Sequence, residues 1–233
     1  MADTQVTWLG HGSFRIESPS GKRIYVDPWL GNPKCPDSEK EPERVDLIAL
    51  THGHDDHVGE TVELVQKFEC PVVALLELRE WLSTKGVPGN PAHAPNKGGT
   101  VDVDGVKITL TNAYHSSSTT ENGSIVYLGE AAGLVIEVEN GTKLYFAGDT
   151  CVFGDMQLIG RIYEPDVAVL PIGDHYTMGP KEASVALELL GAKRCIPCHY
   201  GTFPLLHGTP DQLRELAANV DVIAQEPGET VEV

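Results

Sequence analysis

The stretch Thr51-His52-Gly53-His54-Asp55-Asp56-His57-Val58-Gly59 follows directly on the apolar run Leu47-Ile48-Ala49-Leu50, and it sets three histidines and two aspartates within six positions. A short apolar run bounded by turn residues reads as a buried strand. The polar groups therefore arrive together at a strand end, where functional side chains usually sit. In extended backbone, residues two apart point to the same side, so His52 and His54 can offer two imidazoles to one ion. Asp56 and His57 come after the turn. If a helix starts near Val58, their side chains leave the backbone in other directions and can serve a second ion. Gly53 and Gly59 let the backbone bend closely around both. Carboxylate with imidazole suits zinc, manganese or iron better than a thiolate-loving site.

Around this stretch the chain alternates in blocks. Val6 to Leu9, Phe14 to Glu17 and Arg23 to Val26 read as strands bounded by Gly, Pro and Ser. Helical periodicity appears at Val58 to Phe68, Glu77 to Ser83, Lys181 to Leu190 and Asp211 to Asn219. Val72 to Leu75, Lys107 to Thr111, Val167 to Leu170, Arg194 to Pro197 and Val222 to Ala224 are apolar enough to be buried central strands. Helices layered on sheets follow, in an α/β or α+β class.

Phe14 to Asp27 and Leu134 to Asp149 echo each other: each reads as a strand, a Gly-containing turn and a second strand ending in Asp, and Asn140-Gly141 is a strong hairpin signal. One reading is a single domain, 1–233, built from two similar halves joined near the Pro- and Gly-rich segment 86–99; the other is that two antiparallel hairpins look alike by default. Pro33 to Pro42 reads as a solvated loop.

The spacing His52-x-His54-x-Asp56-His57 resembles the H-x-H-x-D-H signature of the metallo-β-lactamase superfamily. Trp8-Leu-Gly-His11, Val26-Asp-Pro-Trp29, His115-Ser-Ser-Ser118, Gly148-Asp-Thr150, Thr177-Met-Gly-Pro180 and His199-Tyr-Gly-Thr-Phe-Pro204 look like the small metal-dependent hydrolases near the ascorbate-6-phosphate lactonases. The resemblance spans nearly the whole chain. It implies a four-layer αββα sandwich with an internal pseudo-two-fold duplication. It further implies that His52, His54 and His115 hold one metal, that Asp56, His57 and His199 hold a second, and that Asp149 bridges them. The chain departs from the resemblance at His11-Gly12-Ser13, where His-Ser or His-Ala is expected, and at His175, where relatives often carry Asn.

The expected cofactors are two divalent metal ions, zinc foremost, with manganese, nickel or iron as alternatives. Such a pair would present a bridging hydroxide to a small ester, lactone or phosphodiester. Asp56 is expected in the catalytic set, Asp27 is expected to orient a ligand or the bridging water, and His175 is a substrate-contact or proton-donor candidate. His11 faces the metals or is a satisfied structural histidine, and His93 and His207 read as surface residues. The pair Cys195 and Cys198 would face opposite sides of a strand as packed thiols, and Cys151 reads as a small buried residue.

Seventeen Lys and Arg stand against 34 Asp and Glu, a net charge of −17. No broad basic surface is available for non-specific nucleic-acid binding. The expected partner is a small molecule, with phosphorylated substrates slightly favoured because two cations suit an anion. The start, Met1-Ala-Asp-Thr-Gln-Val, carries no basic segment followed by an apolar one, and five scattered cysteines suit a reducing compartment. The expectation is a cytoplasmic chain with no membrane span, and a homo-oligomer by base rate. Two other classes compete: a diiron redox protein of the same fold, which would usually carry Glu where this chain has His54, and a non-catalytic metal-binding module.

Overall fold

In the computed structural model, which describes residues 3–233, β1 (Gln5–Trp8), β2 (Phe14–Glu17) and β3 (Arg23–Val26) form an antiparallel meander. β4 (Leu47–Ala49) then joins parallel to β3, and the two-residue β5 (Val72–Val73) joins parallel to β4. Between and after these last strands run α1 (Asp55–Val58), α2 (Thr61–Phe68) and α3 (Leu76–Thr84).

The second sheet starts with β6 (Thr100–Val103) and β7 (Val106–Asn112). A separate hairpin, β8 (Ser118–Glu121) with β9 (Ser124–Tyr127), stands apart from it. β10 (Ala132–Glu137) and β11 (Lys143–Phe146) form the next antiparallel pair. Then α4 (Met156–Tyr163), β12 (Val167–Pro171), α5 (Pro180–Leu190), β13 (Arg194–Cys198), α6 (Pro210–Leu216) and β14 (Asp221–Val222) alternate, with β11, β12, β13 and β14 parallel. The last strand, β15 (Thr230–Glu232), returns to pair antiparallel with β1. The orders are β15-β1-β2-β3-β4-β5 and β14-β13-β12-β11-β10-β7-β6.

Strand alternation builds the layers. Ile24 and Val26, Leu47 and Ala49 point between the sheets, where they meet Leu134, Phe146 and Val169 of the other sheet. Tyr25, Ile48 and Leu50 point outward onto Leu64, Val65 and Leu78 of α2 and α3. On the far side, Tyr145, Ala168 and Leu170 cover themselves with Met156, Ile159 and Leu187 of α4 and α5. The result is helix, sheet, sheet, helix, the expected αββα sandwich. Each fully buried Leu, Ile or Phe stabilises by roughly 1.5–3 kcal/mol, so three such clusters hold the chain without cross-links, and all five cysteines are free. Cys195 belongs to the outer cluster and Cys198 to the inner one, as strand alternation requires. No helix among the described residues is long and apolar enough to cross a membrane.

Three details differ from the sequence reading. The helix expected over 58–68 is two helices, because Gly59 takes a left-handed φ of +46° and a Cβ there would run into the Pro28 carbonyl and the Trp29 backbone. The first of these helices starts at Asp55, so Asp56 and His57 lie inside it. Cys151 is exposed: after the buried Thr150, whose hydroxyl accepts the Tyr114 N–H at 3.0 Å, the chain turns its next side chain outward. The segment 86–99 contains a short 3-10 turn, Pro91–His93, and is otherwise irregular.

Candidate metal centre

Strand ends of both sheets converge on one edge of the sandwich. Asp27 follows β3, His52 and His54 follow β4, His115 follows β7, Asp149 follows β11 and His199 follows β13. His52 Nε2 and His54 Nδ1 meet at 3.0 Å, and the His115 ring lies 5.2 and 5.0 Å from theirs. Gly53 between them is needed for packing, since a Cβ there would come within 2.6 Å of Leu128. One nitrogen from each of His52, His54 and His115 falls within 4.8 Å of the others. A second such group comprises His11, Asp56, His57 and His199.

Asp149 stands where the two groups meet. Its carboxylate lies 3.4 Å from His57 Nε2, 3.6 Å from His115 Nε2 and 3.1 Å from His199 Nε2. His57 Nε2 and His199 Nε2 are nevertheless buried without a hydrogen-bond partner. Their separation from Asp149 is short, but no hydrogen bond closes it. Buried orphan nitrogens are costly. Lone pairs that converge on carboxylates without bonding them are the arrangement a divalent cation satisfies, and imidazole with carboxylate is a donor set that zinc and its neighbours accept. The residues present therefore fit a metal.

Asp27 takes a different part. Its Oδ1 accepts the Thr51 N–H at 2.8 Å, and its Oδ2 accepts the Thr51 hydroxyl at 2.6 Å and His57 Nδ1–H at 2.8 Å. With both oxygens engaged, it fixes the His57 ring so that Nε2 faces the site. His11 does the corresponding task for Asp56: its Nε2 lies 2.9 Å from Asp56 Oδ2, and its Nδ1 lies 2.9 Å from the Thr202 hydroxyl. Burial lowers the His11 pKa to about 4. The neutral ring then carries its proton on Nε2, donates to Asp56 and accepts from Thr202.

The electrostatics follow from burial set against charge. Burial opposes ionisation of Asp149, but His199 and His57 outweigh it and hold the carboxyl well below the usual range. Burial also opposes protonation of His57, yet Asp149 and Asp27 make it more basic than a free histidine. Burial makes His52, His54 and His115 less basic, which favours the neutral imidazoles that ligate metal.

His11, Asp27 and His199 all adopt left-handed backbone, with φ of +53°, +47° and +53°. Such conformations are costly for non-glycine residues and persist only where surroundings impose them. Gly12, the departure noted beside His11, has its own reason: a Cβ there would come within 2.8 Å of His57 Cε1.

The candidate residues border a cavity of about 930 Å³. His54, Asp56, His115, Asp149 and His199 line its floor, while Trp29, Tyr176 and Phe203 rise around it. His175 is not brought to this wall; it is exposed on the neighbouring loop with its ring 4.5 Å from that of Tyr176, which does line the cavity. Trp29, Thr202 and Phe203 were not singled out by the sequence reading, although each lies in a stretch it quoted. His93 is half-buried and His207 exposed, both away from the cavity.

Comparison with known proteins identifies the family. The profile of the β-lactamase superfamily domain matches residues 22–200. A UPF0173 metal-dependent hydrolase of Herpetosiphon aurantiacus is 49% identical over 98% of this chain and 98% of its own. Another from Roseiflexus castenholzii is 48% identical over 98% and 97%. Among solved structures, Igni18, a metallo hydrolase of Ignicoccus hospitalis, superposes with a TM-score of 0.88 at 34% identity, covering 100% of this chain and 99% of that one. At this identity and coverage the chain belongs to the β-lactamase superfamily, among the UPF0173 metal-dependent hydrolases.

Proposed function

We propose that the cavity floor is a binuclear metal centre that hydrolyses a small ester, lactone or phosphodiester. The observation that carries this reading is the position of Asp149, whose one carboxylate is within 3.6 Å of histidines from both candidate groups. His52, His54 and His115 would hold one divalent cation, and Asp56, His57 and His199 the other. Zinc suits the donor set best, with manganese, nickel or iron as alternatives. When bound, the pair supplies Lewis acidity and lowers the pKa of water towards neutrality.

The chain's own residues supply orientation and shape. Asp27, held by Thr51, keeps the His57 ring turned with Nε2 towards the site. His11 holds the carboxylate of Asp56, which is otherwise one-third exposed and free to swing. Ser116 places a hydroxyl 3.3 Å from His54 Nε2, at the rim where a substrate oxygen would enter. In this reading the attacking group is water rather than a protein nucleophile. A reducing, cytoplasmic setting suits the five free thiols.

The test is elemental analysis of protein purified without chelator, beside Asp149→Ala. About two zinc or manganese atoms per chain, falling with turnover in the variant, is the expected result. Full activity in Asp149→Ala overturns the assignment, and two iron atoms with a visible chromophore move it to redox chemistry.

A further inference from the structure

The walls above the metal centre are of two kinds. One part carries hydroxyls, from Ser116 before β8 and from Ser118, Thr119 and Thr120 of β8, with Asp55 accepting the Thr119 hydroxyl at 2.6 Å. The other is apolar, formed by Trp29, Tyr176 and the consecutive Phe203-Pro204-Leu205. Neither side contains a Lys or Arg. Lys34 is not in the lining; its ammonium stands 5.5 and 5.2 Å from the Trp8 and Tyr200 ring centres, beside Gly201.

The apolar wall is built and held. Trp29 is fixed because its N–H donates to Ser13 Oγ at 3.0 Å, while Glu60 accepts the Leu30 and Gly31 N–H groups at 2.5 and 3.2 Å. Its ring lies 6.1 Å from that of Phe203. Tyr176 is carried to the rim by two successive left-handed residues, Asp174 and His175, with φ of +66° and +62°. Tyr176, Phe203 and Leu205 nonetheless remain 53, 38 and 49% exposed. Large apolar side chains left in water around a concave site mark a surface that binds something apolar.

From this we infer that the substrate is a neutral carboxylic ester or lactone whose non-reacting part is apolar, and that Phe203 and Leu205 select it. This rests on the cavity being the hydrolase site. Water adds across the acyl C–O bond: the acyl carbon takes hydroxyl, and the departing alcohol oxygen takes the remaining proton. A phosphoryl or carboxylate group remote from the scissile bond would lie among Trp29, Phe203 and Leu205 with no cation to pair with, and would be desolvated at a cost. This differs from the slight preference for phosphorylated substrates drawn from the expected pair of cations.

The experiment uses zinc- or manganese-loaded enzyme and 4-nitrophenyl esters of matched shape. From the propanoate to the pentanoate ester, kcat/KM should rise about fourfold for each methylene buried. Replacing the pentanoate terminus by carboxylate, as in the mono-4-nitrophenyl ester of glutaric acid, should lower kcat/KM at least tenfold. Leu205→Ala and Phe203→Ala should flatten the chain-length dependence, and Leu205→Lys should narrow the gap between the glutarate and pentanoate esters. Equal or better turnover of the glutarate ester, or no dependence on chain length, overturns the inference. If neither ester is cleaved, the hydrolase reading fails separately. Ligand-observed NMR with the anilide of pentanoic acid and the mono-anilide of glutaric acid then decides the binding preference: tighter binding of the neutral anilide upholds the inference, and tighter binding of the anion overturns it.

Discussion

Asp27 Oδ2 and His57 Nδ1 are 2.8 Å apart, and both side chains are almost wholly buried. Both oxygens of the carboxylate are engaged, because its Oδ1 takes the Thr51 N–H and its Oδ2 also takes the Thr51 hydroxyl. In Asp27→Asn an amide N–H must face one of these donors, so a buried donor is left unmet and the His57 ring loses its fixed tautomer. Metal affinity or turnover should fall about 10–100-fold, and stability by about 1–3 kcal/mol. Chelator competition and urea unfolding measure the two effects separately.

His11→Ala frees Asp56 and leaves Thr202 without its ring partner. The expected outcome is about a tenfold or greater loss of metal affinity. His11→Gln, which can still direct an amide N–H at Asp56, should recover part of it. Equal losses in Ala and Gln variants, tracking only a lowered Tm, would reduce His11 to a packing role.

Gly59 ends α1 with a left-handed φ against the Pro28 and Trp29 backbone. Because backbone cannot move aside as a side chain can, Gly59→Ala should destabilise by about 3 kcal/mol. Since α1 carries Asp56 and His57, metal content should drop with it. An unfolding midpoint within error of the parent would contradict the packing described.

Glu139, at the turn between β10 and β11, reaches across to the β2–β3 turn, where Lys22 and Ser20 donate to it at 2.7 Å and Ser18 at 3.2 Å. Burial works against ionisation, and these bonds outweigh it, holding the carboxyl down to about 2. The sign is that of a depressed acid: the stabilisation is full above the ordinary carboxylate value of 4.5 and is lost as pH falls from there towards 2. Solvent screening at this partly open site limits it to about 1 kcal/mol. The stability difference between the parent and Glu139→Gln should therefore shrink between pH 5 and pH 2 in acid titrations followed by denaturant. A constant difference would show that Glu139 acts without its charge.

Much of the site was legible because its residues sit where strands end. His52, His54, Asp56 and His57 are adjacent in sequence, and His115, Asp149 and His199 each close an apolar run. Asp27 was found through its echo of Asp149. The cavity walls were not legible, since they depend on where loops fold back: the sequence pointed to His175, while left-handed backbone at Asp174 and His175 brings Tyr176 to the rim instead. Among fold elements, α4 carries Gly160 mid-helix, which breaks the helical signal. The structure requires it because a Cβ there would strike the Leu190 backbone. The first strand of the β8–β9 hairpin, Ser-Thr-Thr-Glu, is wholly polar and shows no apolar alternation, and β15 is three residues long.

The two groups of candidate ligands are each drawn from both sheets. His52 and His54 come from the first and His115 from the second; Asp56 and His57 come from the first and His199 from the second. Neither half of the sandwich contains a complete seat. A chain cut within 86–99 should consequently yield two fragments whose reassociation is strengthened by zinc and weakened by chelator, so that an ion placed for chemistry also serves as a non-covalent linker between the sheets.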